Sequence, residues 1–186
     1  PTLAVRPYPG GWEKAVRLAG YAFQIRPIMP ADAQLYPKFL ARVTAEDLRL
    51  RFLVPTTTLS SETLIRLSQL DYDRDIAFIA LDTASELAGI VRYNADPDGE
   101  AAEFGLLVRS DLQGLGLGTE LIQTLIDYAR AHGLKRLVGI VLRENRNMLA
   151  IAKRMGFRLA PEAAEGDIVQ VRLDLDATTP EAGDHR

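Results

Sequence analysis

With 186 residues, 47% of them apolar and 25% charged, the chain has the composition of a single globular domain. It contains no cysteine and only two histidines, His132 and His185. That excludes disulfides, thiolate metal sites and a cysteine nucleophile, and it leaves no material for a histidine metal cluster or a serine–histidine triad. A net charge of −3 supplies no global basic field for nucleic acid, and the longest apolar runs, such as Ile76–Leu81, are strand-sized. The chain therefore reads as a soluble, cytoplasmic protein with one core. Its opening on Pro1 rather than Met reads as a piece of a processed or longer chain.

Residues 1–24 hold Pro7, Pro9, Gly10, Gly11 and Gly20 and read as an N-terminal linker or hairpin extension, with Trp12–Leu18 and Tyr21–Ile28 pairing around Ala19-Gly20. Apolar Leu35, Phe39, Leu40 and Val43 predict a helix over Asp32–Val43, which Pro37 starts late or kinks. Thr44 with Asp47 three positions on caps a second helix through Phe52, and Ser60-Ser61-Glu62 opens a third to about Leu70. Strands at Ile76–Leu81, Leu87–Tyr93 and Ala101–Arg109, joined by polar turns, form an antiparallel meander.

A helix follows over Thr119–His132, with Leu121, Ile122, Leu125, Ile126 and Ala129 as its stripe and Gly133 as its stop. Then come a strand at Arg136–Leu142, a helix at Asn145–Met155 ended by Gly156, and strands at Phe157–Leu159 and Val169–Leu175. The tail 177–186 lacks periodicity and reads as flexible. The order is that of a mixed α/β sheet with helices packed on its faces.

The most informative stretch is Gln113-Gly114-Leu115-Gly116-Leu117-Gly118, between a strand and an amphipathic helix. Alternate glycines let the backbone approach a ligand closely, and a helix start favours an anion, so a phosphate or pyrophosphate is the natural guest. The P-loop is excluded because Gly118 is followed by Thr119 with no lysine. The dinucleotide fingerprint is excluded because Thr119 stands where its third glycine belongs.

The loop does fit the acyl-CoA pattern of the GNAT superfamily of N-acetyltransferases, Gln/Arg-x-x-Gly-x-Gly/Ala, through Gln113, Gly116 and Gly118, with Val108 five residues ahead. Asn145 through Gly156-Phe157 resembles that superfamily's later helix and strand. The segments Ile25-Arg26-Pro27-Ile28, Asp47-Leu48-Arg49-Leu50-Arg51-Phe52 and Gln69-Leu70-Asp71-Tyr72-Asp73-Arg74 resemble one branch, the bacterial protein lysine acetyltransferases in which a GNAT domain is joined to an acyl-CoA-synthetase-like region. The resemblance implies a GNAT-type mixed, largely antiparallel sheet with helices on both faces, a GNAT domain over 25–176, and a place in a longer multidomain chain.

Acetyl-CoA is the implied co-substrate and no metal is implied. The resemblance puts Leu106, Leu107 and Val108 beside the pantetheine arm. It puts Gln113, Gly114, Leu115, Gly116, Leu117, Gly118 and Thr119 around the pyrophosphate, with Asn145 positioning the cofactor or capping its own helix. Arg143, Arg146, Lys153 and Arg154 lie near the end that meets the 3′-phosphate, although a solvated basic helix face accounts for most of them. The implied partner is a protein with an exposed lysine, such as a metabolic enzyme that forms acyl-CoA. The acidic net charge is expected to tolerate a cationic neighbourhood around that lysine.

A lysine amine has a pKa of ~10.4 and is neutral on the order of 0.1% near pH 7, so something must accept its proton. Alternation on the strand sets Ala101, Glu103, Gly105 and Leu107 on one face, and Glu103 is the lone acid there. Partial desolvation on that small, apolar face would make it a better base. Similar proteins of the branch carry a functional glutamate at the matching position. The superfamily's usual tyrosine, seven residues after the asparagine, is replaced by Ala152. Tyr128 and Tyr93 are the remaining tyrosines nearby, and packing is the plainer role for both. Asp71, Asp73 and Asp75 do not form a calcium loop, and His132 is expected to meet the last carbonyls of its helix. Acetylation of a small-molecule amine or a protein N-terminus, and a non-catalytic acyl-CoA sensor, are the alternatives.

Overall fold

The structure, a computed structural model, describes residues 7–52 and 74–175. The third helix expected at Ser60–Leu70, Asp71 and Asp73 of the acid group, and the tail 177–186 lie outside the described residues.

Among the described residues eight strands form one sheet in the order β1-β2-β3-β4-β5-β6-β8-β7. They are β1 Lys14–Leu18, β2 Tyr21–Pro27, β3 Asp75–Leu81, β4 Leu87–Ala95, β5 Ala101–Val108, β6 Arg136–Leu142, β7 Arg158–Glu165 and β8 Ile168–Asp174. Every adjacent pair is antiparallel except β5 with β6. Helices α1 Tyr36–Leu40 and α2 Ala45–Phe52 cover one face, where Tyr36, Phe39 and Leu48 pack on Ile79, Ile90 and Leu107. Helices α3 Leu117–Ala131 and α4 Arg146–Arg154 cover the other, where Leu121, Ile122 and Leu125 meet Phe78, Val91 and Phe104.

The N-terminal ribbon turns at Ala19 (φ 50°) and Gly20 (φ 85°), the paired positive angles of a type I′ hairpin. The division expected after residue 24 falls inside β2, whose Gln24–Pro27 pair with β3, so the hairpin is the edge of the main sheet. Before α1 the chain makes a 3₁₀ turn, Pro30–Leu35, and Pro37 stands in the first turn of a late-starting helix. Thr44 Oγ1 accepts from the Asp47 N–H at 3.1 Å, which makes it the N-cap of α2. Both α3 and α4 end in Schellman closures. Leu134 N–H reaches Ala129 O around Gly133, and Phe157 N–H reaches Ala152 O around Gly156.

Two elements differ from the sequence expectation. Helix α3 begins at Leu117 rather than Thr119, so Gly118 lies within its first turn. Strand β7 runs to Glu165 rather than stopping at Leu159, because Pro161 sits on a sheet edge, where a missing N–H costs no ladder bond, and the register breaks between Ala160 and Glu165.

Arg26 grips Asp32 with two hydrogen bonds, 2.8 and 2.7 Å, and the Met29 N–H donates to the same carboxylate at 2.7 Å. Asp32 is buried, so this pair pins the end of β2 to the turn that launches α1. Replacing Asp32 by Ala strands a buried guanidinium, and we expect a loss of about 3–5 kcal/mol in urea-unfolding stability.

Candidate active site

The site begins where β5 and β6 part. They pair over only Ala101–Phe104 and Arg136–Gly139, after which β5 keeps β4 and β6 keeps β8. At the last pair the Phe104 ring fills the space over Gly139, where a Cβ would come within 2.7 Å of it. Beyond that point the β6-facing edge of Gly105–Val108 has no strand partner among the described residues. A cleft of about 1020 Å³ opens there, between the diverging strands and the starts of α3 and α4.

Glu103, Leu106, Leu107, Val108, Gln113–Thr119 and Asn145 all line this one cleft. Gly114 (φ 83°) and Gly116 (φ 93°) take left-handed angles, and a Cβ on either would meet nothing within 4 Å, so open space lies before them. Gly118 serves differently. Its backbone is helical, and a Cβ there would meet Leu106 Cδ2 at 3.1 Å, so its role is close packing of α3 on β5. No side chain caps α3 at Gly116, and the N–H groups of its first turn have no intrahelical partner. Such a cradle suits a doubly charged phosphate group.

Other predicted residues take more structural parts. Leu117 is buried in the core. Asn145 caps α4 by accepting from the Met148 N–H at 3.2 Å, the plainer of its two expected roles, while still lining the cleft. Gln113 turns its amide to Asp47 Oδ2 at 3.0 Å. Of the four basic residues near the cofactor end only Arg154 lines the cleft, and Arg143 donates to Gly166 O at 3.1 Å. Ala152 is buried, and Tyr93 and Tyr128 are buried in the core, where Tyr128 stacks on His132 with centroids 3.8 Å apart. His132 Nδ1 lies 2.8 Å from Tyr128 O, the expected contact with the end of its helix.

Glu103 is exposed, so the desolvated surroundings expected for it are absent. Among the described residues three acids line the cleft, and two are engaged. Asp47 accepts from Ser110 Oγ and Gln113 Nε2, and Glu120 pairs with Lys14 at 3.4 Å. Among the described residues Glu103 makes no hydrogen bond and no ion pair. No group of three or more His, Asp or Glu among the described residues is placed to hold a metal ion.

The sequence reading put Asp47 in a helix cap and both Asp47 and Arg51 in the branch-like segment, and gave neither a part in the site. They stand one turn apart on α2, so both face the cleft. Asp47 ties α2 to the segment that leads into the glycine loop. Arg51 is half-buried over Gly105, and burial, then repulsion from Arg92, brings its pKa down to about 10 against the attraction of Glu103. The signal was there in the bare Gly105 of a strand, which marks close approach by another group.

The profile of the Acetyltransferase (GNAT) family matches residues 44–157. The chain belongs to the GNAT family of acetyltransferases. It is similar to an acetyltransferase of Pseudomonas aeruginosa, 32% identical over 136 residues that cover 72% of this chain and 73% of that one. An L-methionine sulfoximine/L-methionine sulfone acetyltransferase of the same organism is 31% identical over 112 residues. That match covers 54% of this chain and 65% of that one, less than two thirds of its length. The crystal structure of the GNAT domain of S. lividans PAT superposes with a TM-score of 0.85 at 27% identity, covering 90% of this chain and 99% of that one. A Salmonella typhimurium structure of the same fold, with a TM-score of 0.64 at 20% identity over 87% of this chain and 99% of that one, was solved with acetyl-CoA.

For this GNAT acetyltransferase the cleft's chemistry makes a direct prediction. Gly116→Val forces a β-branched residue to φ 93° and sets its side chain in the anion's place. Calorimetry should show acetyl-CoA affinity falling at least about 100-fold, near 3 kcal/mol, in a protein that still unfolds cooperatively.

Proposed function

We propose that the chain transfers the acetyl group of acetyl-CoA to the ε-amino group of a lysine on a protein, with Glu103 taking the proton. The observation that carries this is a carboxylate that, among the described residues, makes no hydrogen bond or ion pair, beside a strand edge that none of them pairs with. Of the acids lining the cleft, Glu103 alone has its oxygens uncommitted among the described residues. A sensor that only binds acyl-CoA has no use for such a group. The sequence resemblance to the lysine-acetylating branch, and the likeness to the GNAT domain of S. lividans PAT over 90% of the chain, support a protein acceptor. An acyl-CoA-forming metabolic enzyme is the proposed partner, and the cytoplasm, where acetyl-CoA is drawn on, the proposed location.

Acetyl-CoA supplies the reactive thioester. The bare edge of Leu106–Val108 offers N–H and C=O groups to its extended amide-bearing arm, and Gly114–Thr119 offers backbone donors to its phosphates. The neutral amine attacks the acyl carbon, a C–N bond forms as the C–S bond breaks, and the nitrogen's proton passes to Glu103 directly or through one water. At ~3.3 Å per strand residue, Glu103 stays several residues short of the phosphate cradle. Among the described residues no tyrosine lines the cleft, and in this reading the thiolate leaves without one, which a conjugate acid of pKa ~8.5 allows.

A second reading, acetylation of a free amino acid derivative, is favoured by the methionine sulfone-acetylating relative. Mass spectrometry of proteins incubated with the enzyme and acetyl-CoA decides between them. Acetylated lysines are expected, and labelling of small amines with no protein labelled would move the assignment to the second reading. Glu103→Gln keeps the shape and removes the proton acceptor. Its kcat should drop on the order of 10²–10⁴-fold, roughly 3–5 kcal/mol of barrier, with acetyl-CoA affinity by calorimetry little changed.

A further inference from the structure

Between β5 and α3 the chain passes through the 3₁₀ turn Ser110–Leu112 and then the loop Gln113–Gly116. The residues on either side of that loop, Leu112 and Leu117, are buried in the core. Two of the loop's four residues, Gly114 and Gly116, hold left-handed angles, and glycine loses the most conformational freedom when it is ordered. Gln113 anchors the loop by a side chain, since its Nε2 donates to Asp47 Oδ2 at 3.0 Å. That oxygen belongs to a closed ring of hydrogen bonds. The Thr44 N–H donates to Ser110 Oγ at 2.9 Å, the Ser110 hydroxyl donates to Asp47 Oδ2, and the Asp47 N–H donates back to Thr44 Oγ1 at 3.1 Å. A carboxylate only accepts, so the ring runs in one direction. The Ser110 N–H also donates to Arg42 O at 3.3 Å. The start of α2 is thereby bolted to the start of the loop.

Asp47 lines the same cleft as the phosphate cradle. A carboxylate repels a phosphate, so direct contact with the cofactor does not account for its place there. We propose that Asp47 is a positioning residue that holds Gln113, and through it the glycine loop, in the phosphate-receiving conformation before acetyl-CoA arrives. Holding the loop beforehand moves the entropy of ordering its glycines from the binding step to folding, which raises affinity. The anchor rests on the reading of Gly114–Thr119 as the phosphate cradle and is independent of which amine is acetylated.

Calorimetry with acetyl-CoA on the full chain is the test. Asp47→Ala removes the receiver and should weaken binding roughly 5–30-fold, or about 1–2 kcal/mol. Gln113→Ala should weaken it as well, and the double variant should lose no more than Asp47→Ala alone, because both changes break one bond. Gln113 is exposed, so its variant folds whatever becomes of α2. Asp47→Asn keeps an oxygen that both donors can reach and removes the repulsion, so it should bind as tightly as the unaltered chain or more tightly. A purely electrostatic role would tighten both Asp47 variants, and a role in α2 stability alone would leave Gln113→Ala unaffected. Amide hydrogen exchange gives a readout without ligand. In unliganded Asp47→Ala the amides of residues 114–119 should exchange faster, with those of β8 unchanged. Undiminished affinity or unchanged loop exchange in Asp47→Ala, an unaffected Gln113→Ala, or losses that add in the double variant overturn the anchor while Gly116→Val still loses binding. Full binding by Gly116→Val overturns the cradle reading with it.

Discussion

Two parallel strands that stop pairing after four residues are the constraint on which the rest of this molecule depends. A parallel pair inside a covered sheet ordinarily has no free backbone, because each strand satisfies the next. Here Gly139 supplies no side chain, Phe104 occupies its place and packs on Phe157 with centroids 5.1 Å apart, and β6 stays with β8 while β5 stays with β4. The exposed edge of Gly105–Val108 and the cleft beside it are consequences of that parting. So is the placement of the α3 start opposite the free strand.

Strand alternation then divides the labour of β5. Ala102, Phe104 and Val108 face the α3 side, where Leu106 also packs and Gly118 lets the helix approach. Glu103, Gly105 and Leu107 face the other side, under α2. One strand thus turns a backbone edge to the cleft and sets Glu103 and Gly105 on the face toward α2. Asp47 links the two halves, since it receives Ser110 and Gln113 from the segment that opens the glycine loop and lies one turn before Arg51. A change in α2 is therefore felt at the loop as well as over Gly105.

Much of this was legible in the sequence because its signals are local. The glycine loop, the Gly133 and Gly156 stops, the Thr44 cap and the face shared by Glu103, Gly105 and Leu107 each follow from a few adjacent residues. What escaped was non-local. Pro161 reads as a strand breaker unless its strand is known to be an edge. Gly118 looks like a loop glycine until α3 is seen to pack on Leu106. Arg51 reads as a charge on an amphipathic helix until α2 is folded over a strand whose glycine makes room.

That exposure bears on how the proton is moved. Carboxylates as a class are weak bases toward an ammonium ion, so deprotonating free lysine is not work they do well. Once the amine has bonded to an acyl carbon its nitrogen is far more acidic, and an ordinary carboxylate accepts that proton readily. The burden therefore shifts from the base to the binding step, which must deliver the amine uncharged. In the proposed reaction Glu103 takes the proton after the C–N bond has begun to form, a step for which an exposed glutamate is sufficient.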